Sequence, residues 1–443
     1  MSAAMALVHT IFVVLNMLQT TNIGYSPEGR PIRATVVGAF DAPNRSLVIA
    51  GQHGDEPLAV EAVEEVAARL PLNPHRAVAF VICANPDGHA AQTRRTAQGI
   101  DLNRDHQYLA APETQALHAF ARAFRPQMIV DAHTFKPRRR VLLDHGLEWG
   151  ADVMVELDNH PHALTDYGRR WKAWICPVKA QLAKRGILID RYLVASATGG
   201  LRASSSDIVD VRNGLASSVG AMGILVEGRE PSRRYGSKDQ TRHAMAQTIE
   251  ALIERSSPPA LESVDECSIL YLDIRRQRAS AFAFTLSCTD DRPVRRRLPG
   301  YPSVDVTPMR PVIVPGAYGV PRRFHRLIGV LSRHGLTPVD PQKAKSAIRV
   351  VQAAYIQGGK LSRRALSLRR PTVEWRVQQP CFEECLYYLT EQPRGHRLAA
   401  LLEPGSRFGL HRYPDLGIPV AERRLFDVVR GYRDRSLVPV FRS

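Results

Sequence analysis

The chain has 443 residues, enough for two domains of ordinary size, and 44% of them are hydrophobic, enough to fill a large core. The net charge of +17 is uneven: residues 1–255 hold 29 Lys and Arg against 26 Asp and Glu, and residues 256–443 hold 31 against 17. The six cysteines are sparse and lack the spacing of a disulfide framework or a structural zinc site, so neither class is expected.

The N-terminal segment contains the apolar run "IFVVLNML", which is too short to span a bilayer. No Lys or Arg precedes Arg30, so the charged start of a signal peptide is missing. We therefore expect a cytoplasmic protein without a membrane span.

Strand-like and helix-like segments alternate in the first half of the chain. Strands are predicted for "PIRATVVGAF", "RSLVIAGQHG", "AVAFVICANPDG", "PQMIVDAHTF" and "MGILVEGRE", and helices for Glu56 to Leu70 and for "ETQALHAFARAF". This order predicts an α/β fold with a central mixed, mainly parallel sheet and helices on both faces. Functional residues of such sheets gather beyond the carboxyl ends of the strands.

A change of pattern follows "RSSPPALES", which is typical of a linker. The sequence therefore predicts a catalytic domain in residues 1–255. Residues 256–443 are expected to form a smaller basic C-terminal domain or extension that packs on it. Its arginine clusters, such as "VRRRLPG", lack regularly interleaved aromatic residues and a nucleic-acid-binding module, so a solvated basic face is favoured over a nucleic-acid partner.

Polar residues at the strand ends supply the parts of a metal site. A catalytic zinc ion needs about three protein ligands and one open position. His53 and Glu56 lie on a strand-to-helix turn, and His133 follows another apolar strand. Glu227 ends a further buried run and could act as a general base. Alone, the His-x-x-Glu turn is more often a helix cap than a ligand pair.

The order of five motifs, HGDE, NPDG, an arginine before GIDLNRD, DAH and ILVEGR, resembles the M14 zinc carboxypeptidase family. The segment "IGYSPEGRPI" looks like that family's opening strand, and "RNGLASSVGAMGILVEGRE" and "EQPRGHRLAALLEPGSRFGL" are similar to a bacterial subgroup of the family. The resemblance extends over most of the chain in order. It implies the zinc carboxypeptidase fold and Zn²⁺ as the cofactor.

The resemblance also implies a role for each matching residue. His53, Glu56 and His133 become the zinc ligands, and Glu227 becomes the general base that activates water and passes a proton to the leaving nitrogen. Arg94 matches the arginine that polarises the scissile carbonyl. Three further matches come from the DLNR motif: Asp101 as the carboxylate that orients the first zinc histidine, and Asn103 and Arg104 as the pair that binds the substrate carboxylate.

The sequence departs from the family at two places. Residues 201–209 hold no substrate-binding tyrosine, and neither Tyr192 nor Tyr235 matches its position. Asp105 follows Arg104 where many relatives have asparagine, and its charge would weaken carboxylate binding if it points inward. Arg212 lies fifteen positions before Glu227 and either selects an acidic substrate group or braces a loop; bracing is favoured, and we keep Arg212 as a candidate substrate-binding residue.

The predicted function is zinc-dependent hydrolysis of a C-terminal amide bond in a peptide or amino-acid conjugate with a free carboxylate. One alternative is an N-acyl amino acid deacylase of the succinylglutamate desuccinylase and aspartoacylase type, which shares the His-x-x-Glu and DLNR motifs. The other alternative is a non-catalytic binding module for an acidic partner, against which the complete set of ligands and base argues. The sequence leaves the oligomeric state and the substrate undetermined.

Overall fold

The computed structural model describes residues 18–160, 163, 167–195, 201–232, 236–255, 269–276, 281–287, 292–298, 306–358, 372–403, 406, 409–416, 418 and 425–433. The chain divides into two compact units, one of residues 1–261 and 276–307 and one of residues 262–275 and 308–443. Most of the predicted linker and of the N-terminal apolar run lies outside the described residues. The predicted domain boundary at residue 255 stays a prediction.

The described strands are, in chain order, β1 (Leu18–Tyr25), β2 (Pro31–Val37), β3 (Asn44–Ile49), β4 (Arg76–Val81), β5 (Met128–Phe135), β6 (Leu147–Trp149), β7 (Val153–Leu157), β8 (Ile189–Arg191), β9 (Leu193–Ala195), β10 (Leu201–Ala203), β11 (Met222–Arg229), β12 (Ile269–Arg276), β13 (Ala281–Ser287), β14 (Val294–Leu298), β15 (Val306–Ile313), β16 (Ala317–Pro321), β17 (Val350–Gly358), β18 (Thr372–Gln378), β19 (Cys385–Leu389) and β20 (Leu425–Tyr432). The described α-helices are α1 (Pro57–Arg69), α2 (Pro86–Ala90), α3 (Pro112–Phe124), α4 (Arg140–Leu143), α5 (Tyr167–Arg170), α6 (Cys176–Ala183), α7 (Ala216–Val219), α8 (Lys238–Ile253), α9 (His325–Arg333), α10 (Pro341–Ala347) and α11 (His396–Leu402). Five-residue π-helical turns at Trp171–Ile175 and Val211–Leu215 lead into α6 and α7.

The first unit is built around an eight-stranded sheet in the order β1-β2-β4-β3-β5-β11-β7-β8. The strand pairs β4–β3, β3–β5, β5–β11 and β7–β8 are parallel, and β1–β2, β2–β4 and β11–β7 are antiparallel. The predicted mixed, mainly parallel sheet is thereby confirmed. The parallel strands β3, β5 and β11 lie side by side, so their carboxyl ends meet at one edge of the sheet.

Helices cover both faces of this sheet, as the sequence predicts. Side chains alternate along a strand, so successive residues enter different cores. Val130 packs into the core that includes residues of α1, α6 and α8, whereas Ile129 packs into the core that includes residues of α3. Asp131 and His133 share the parity of Ile129, so they point to the same face of β5.

The second unit contains a five-stranded antiparallel sheet in the order β18-β17-β20-β16-β19. The second unit also contains a buried ion pair between Arg430 and Glu403. The Nε and Nη2 atoms of Arg430 each donate to a carboxylate oxygen of Glu403 at 2.7 Å. The Tyr318 hydroxyl donates to the same carboxylate at 2.7 Å, and Trp375 covers the Arg430 guanidinium at 3.5 Å. Both charges are therefore compensated where water does not reach them.

The basic strand β14 is the edge strand of a three-stranded sheet in the first unit, in the order β14-β13-β6. Its residues Arg295, Arg296 and Arg297 are exposed, and the solvated basic face stays a prediction. Among the helices within the described ranges, none combines the length and the apolar composition that crossing a membrane requires.

Glu113, in the first turn of α3, is a fully buried carboxyl group. Neither of its carboxyl oxygens finds a hydrogen-bond partner in another described residue. Burial raises the pKa of Glu113 to about 7, and the nearby charges of Asp87 and Asp105 add to this effect. The folded protein therefore retains a proton here that an unfolded chain releases at about pH 4.3.

Because the folded state binds this proton more tightly, Glu113 makes the free energy of unfolding fall as the pH rises from about 4.3 to 7, and the loss is complete above pH 7. We expect Glu113→Gln to raise the free energy of unfolding at pH 8 by on the order of 2 kcal/mol and to change it much less at pH 5. Urea denaturation at the two pH values measures the difference, with the exposed Glu61→Gln as the control. An equal effect of Glu113→Gln at both pH values would contradict this prediction.

Candidate metal centre and active site

The candidate site lies at the carboxyl ends of β3, β5 and β11. His53 follows β3, His133 lies in β5, and Glu227 lies in β11 directly beside His133 in the parallel register. All three side chains are less than one-tenth exposed. The sheet thus brings together residues that are 174 positions apart in the sequence, from His53 to Glu227.

Three donor atoms converge on one point at this edge. The Nδ1 atom of His53 lies 2.7 Å from Oε1 of Glu56, and the Nδ1 atom of His133 lies 2.9 Å from Oε2 of Glu56. The two Nδ1 atoms are only 3.1 Å apart. One donor atom from each residue lies within 4.8 Å of the others, so the group could hold a metal ion. Two imidazole nitrogens and a carboxylate oxygen are a donor set that zinc accepts, so these residues fit the predicted ion.

The turn between β3 and α1 aims two of these residues at the same point. Gly51 has a φ of +66°, a conformation that most side chains avoid. A Cβ atom on Gly54 would lie 1.9 Å from the backbone carbon of Gly88, so a larger residue would not fit there. The backbone N–H of Glu56 donates to the carbonyl of His53, and Pro57 begins the helix. The turn that begins the helix is therefore the same turn that positions the predicted ligands His53 and Glu56.

Asp101 contacts the side of His53 that faces away from the converging atoms. Its Oδ1 lies 3.3 Å from Nε2 of His53, and its Oδ2 accepts from Nε of Arg94 at 3.0 Å. Burial would raise the pKa of Asp101, but the hydrogen bond to His53 and the charges of Arg94 and Arg104 outweigh it, so the pKa lies well below its usual range. A charged Asp101 favours a proton on Nε2 and leaves Nδ1 of His53 free to bind a metal.

Asp131 contacts His133 in the corresponding way, although no role was predicted for it from the sequence. Its Oδ1 lies 2.9 Å from Nε2 of His133, and its side chain is 1% exposed. The signal was present in "VDAHTF", because residues two apart in a strand point to the same face. Each candidate histidine ligand therefore has a carboxylate behind it.

Glu227 is a buried carboxyl group whose pKa is raised to about 8. Burial is the main cause, and the negative charges of Glu56 and Asp131 add to it, while the charge of His133 opposes it. Tyr192 lies near this group: the charge of Glu227, followed by burial, raises the pKa of its phenol. By its position in the sequence, Tyr192 does not match the family's substrate-binding tyrosine.

Arg94 lies at the exposed side of the convergent atoms. Its Nη1 atom is 3.3 Å from Nδ1 of His53 and 3.9 Å from Oε1 of Glu56, and its side chain is 42% exposed. Arg104 is exposed as well, and its Nη1 donates to the backbone carbonyl of Asn103 at 2.5 Å. Both arginines can therefore meet a ligand from solvent.

The other predicted substrate-binding residues are buried. The amide Nδ2 of Asn103 lies 3.1 Å from Nε2 of His133, and its Oδ1 accepts from the backbone N–H of Val211 at 3.3 Å. Arg212 is 1% exposed and donates to Ser204, Asn159 and Ser205 at 2.7 to 3.1 Å. These contacts tie Arg212 to the loop before Val211 and to Asn159, which follows β7, and its role in substrate binding stays a prediction.

Asp105 points away from the candidate site. Its carboxylate accepts from the backbone N–H groups of Ala110 and Ala111 at 2.9 and 2.8 Å and from the Thr114 hydroxyl at 2.5 Å. The carboxylate thus binds donors at the start of α3, where negative charge is favourable. The departure from the family at this position is explained by a structural role.

This fold and this group of residues define a candidate metal-dependent hydrolase. Residues 15–136 match the family described as zinc carboxypeptidase, Peptidase_M14, and this match confirms the resemblance predicted from the sequence. The matched segment contains His53, Glu56, Asp101 and His133. Comparison with curated proteins gives no match.

Several solved structures are similar to this chain. A metallo-carboxypeptidase from Burkholderia cenocepacia has 19% identity and a TM-score of 0.42, with 57% of this chain and 68% of that chain covered. A metallo-carboxypeptidase from Pseudomonas aeruginosa in complex with (2-guanidinoethylmercapto)succinic acid has 18% identity and a TM-score of 0.40, covering 56% and 67%. The murein-tripeptide amidase MpaA from Escherichia coli O157 has 17% identity and a TM-score of 0.33, covering 53% and 91%.

Proposed function

We propose that this chain is a zinc-dependent hydrolase that cleaves the amide bond next to a substrate's free C-terminal carboxylate. The observation that carries the proposal is the convergence of His53, Glu56 and His133 beside the buried Glu227. The zinc carboxypeptidase match over residues 15–136 supports a hydrolase of the zinc peptidase class. The bond, the metal and the residue roles belong to the proposal.

His53, Glu56 and His133 would hold the zinc ion through two ring nitrogens and a carboxylate oxygen. Bound zinc supplies Lewis-acid chemistry, which makes water a nucleophile near neutral pH and polarises a carbonyl oxygen. Asp101 and Asp131 each face Nε2 of one ligand histidine, so in the neutral rings that would bind the ion the proton lies on Nε2 and Nδ1 faces the ion.

Glu227 is the proton carrier in this proposal. The ionised form of Glu227 is a stronger base than an ordinary glutamate, because burial disfavours its charge and raises the pKa of the group. It takes a proton from the attacking water and delivers that proton to the leaving nitrogen, so the same group serves as base and then as acid. Its position beside His133 in the sheet keeps it close to the ligands.

The two exposed arginines, Arg94 and Arg104, would bind different groups of the substrate. Arg94, next to His53 and Glu56, faces the carbonyl oxygen on which negative charge develops. Arg104 is proposed to bind the terminal carboxylate, because a guanidinium offers paired donors that match both carboxylate oxygens. A requirement for this carboxylate is what makes the proposed enzyme act at a chain end.

Removing the Arg104 charge should therefore weaken the reaction of free-acid substrates selectively. We expect Arg104→Gln to lower kcat/KM for a peptide with a free carboxylate by about 10- to 100-fold, since a hydrogen bond to a charged group contributes about 1.5–3 kcal/mol. The same change should hardly affect the slow cleavage of the C-terminally amidated peptide. Steady-state kinetics on the matched peptide pair measure both effects.

Arg95→Gln is the matched control, because Arg95 is exposed, lies in the same segment and donates to the backbone carbonyl of Gly99. Equal cleavage of the free-acid and amidated peptides by the unaltered protein would contradict the role of Arg104. Hydrolysis of N-acyl amino acids in preference to peptides would instead support the deacylase alternative. Zinc-loaded protein that hydrolyses neither class would support the binding-module alternative.

A further inference from the structure

A row of hydrogen-bonded buried side chains lies behind His133, on the side away from the converging donor atoms. Gln52 and His106 are 0% exposed, as is His118, and Asp131 is 1% exposed. Oε1 of Gln52 lies 2.9 Å from Nε2 of His106, and Nδ1 of His106 lies 3.3 Å from Nε2 of His118. Buried polar groups are tolerated only when they are hydrogen-bonded, so each donor in this row of side chains must face an acceptor.

The Asp131 carboxylate fixes that order because a charged carboxylate can only accept hydrogen bonds. Nε2 of Gln52 lies 2.7 Å from Oδ1 of Asp131 and must be the donor. The Gln52 oxygen then faces His106, whose Nε2 must carry a proton to donate to it. The orientation of the Gln52 amide and the tautomer of His106 are therefore both determined by Asp131.

The same carboxylate oxygen also contacts the candidate ligand His133. Oδ1 of Asp131 lies 2.9 Å from Nε2 of His133, and Oδ2 has no hydrogen-bond partner among the described residues. Gln52 is thus a second donor on the oxygen that orients His133, and it opposes rotation of the carboxylate. Gln52 also precedes His53 in the chain, and its backbone carbonyl accepts from Asn85 at 3.2 Å.

We propose that Gln52, held in place by His106, is a positioning residue for the metal centre. It anchors Asp131 so that His133 keeps its proton on Nε2 and presents Nδ1 to the metal. As the neighbour of His53, it couples the positions of both histidine ligands. The inference rests on the proposed zinc site, but it concerns metal affinity and ligand geometry, which are measurable without any substrate.

The test uses the full-length chain and two probes, zinc and cobalt(II). We expect Gln52→Met, which keeps the approximate size but removes the amide, to weaken zinc binding by about 10- to 100-fold, the usual effect of losing a group that supports a metal ligand. The visible spectrum of the cobalt(II) protein should change as well, because the ligand geometry is less well held. Competition with a chromophoric chelator measures the zinc Kd.

A second variant keeps the inference testable if Gln52→Met folds poorly. His106→Phe leaves Gln52 in place but removes its support, so we expect a smaller loss of zinc affinity, about 3- to 10-fold. The double variant should bind zinc about as weakly as Gln52→Met alone, because the two residues act in series. Independent, additive effects would overturn the part assigned to His106.

Thr248→Val is the matched control, since it removes a buried hydroxyl that donates within α8 to Ala244. We expect it to leave the zinc Kd and the cobalt(II) spectrum unchanged. A folded Gln52→Met protein with zinc affinity within twofold of the unaltered protein and the same cobalt(II) spectrum would overturn the inference alone. An unaltered protein that binds no zinc would overturn both the inference and the proposed function.

Discussion

Glu227→Gln is expected to reduce the rate of hydrolysis by about 10²- to 10⁴-fold, the usual contribution of a general base, while zinc stays bound. Glutamine has nearly the same shape, but its amide cannot take a proton from water. Glu227 is not among the converging donor atoms, so its replacement should leave the metal ligands in place. The buried position makes compensation by bulk water ineffective.

The measurement combines single-turnover hydrolysis with the zinc content of the same sample. Glu230→Gln is the matched control, because Glu230 lies three positions further along the chain and its carboxylate accepts from the Thr134 hydroxyl at 3.0 Å. We expect the control to retain activity within about threefold, since it removes a similar charge without removing the proposed base. A Glu227→Gln protein that keeps zinc and more than a tenth of the activity would refute the assigned role.

The parts of the site that the sequence predicted are those that depend on local pattern and strand order. Continuous apolar runs indicated β3, β5 and β11, and polar residues followed each run. Because the carboxyl ends of parallel strands meet at one edge, the sequence positions of His53 and His133 were enough to predict that they meet. The Nδ1 atoms of His53 and His133 do lie 3.1 Å apart, and Glu227 pairs with His133 in the register of β5 and β11.

Side-chain direction was not predictable in the same way. Asp105 follows Arg104 directly, yet it binds N–H groups at the start of α3, a contact that depends on how the chain turns after the DLNR motif. The guanidinium of Arg212 meets Asn159, which lies 53 positions earlier in the chain. Such contacts follow from tertiary packing, which a single sequence does not display.

The buried support of the ligands was missed for a related reason. Asp131 could have been identified from its position two residues before His133 in a strand. Gln52 and His106 could not, because their contact joins residues 54 positions apart and neither residue type suggests a metal site. Supporting hydrogen bonds behind a ligand follow no fixed spacing, whereas His53 and Glu56 form a recognisable His-x-x-Glu pair.

His133→Ala is expected to weaken zinc binding by more than the 10- to 100-fold that loss of a supporting hydrogen bond causes, and to remove hydrolysis with it. The change takes away one of the three candidate metal-binding side chains, while Glu56 keeps its contacts with His53 and with the backbone N–H of Thr134. Equilibrium dialysis measures the zinc Kd, and the exposed His75→Ala is the control, for which no change is expected.

Thermal unfolding gives a second measure of the loss of zinc binding in His133→Ala, because a ligand that binds only the folded state stabilises that state. At a zinc concentration 100 times the Kd, the stabilisation is about 2.7 kcal/mol, so a chelator should lower the Tm of the unaltered protein. The Tm of His133→Ala should not respond to the chelator under the same conditions. A His133→Ala protein that keeps one zinc ion with the original Kd and the original response to chelator would show that His133 is not a ligand.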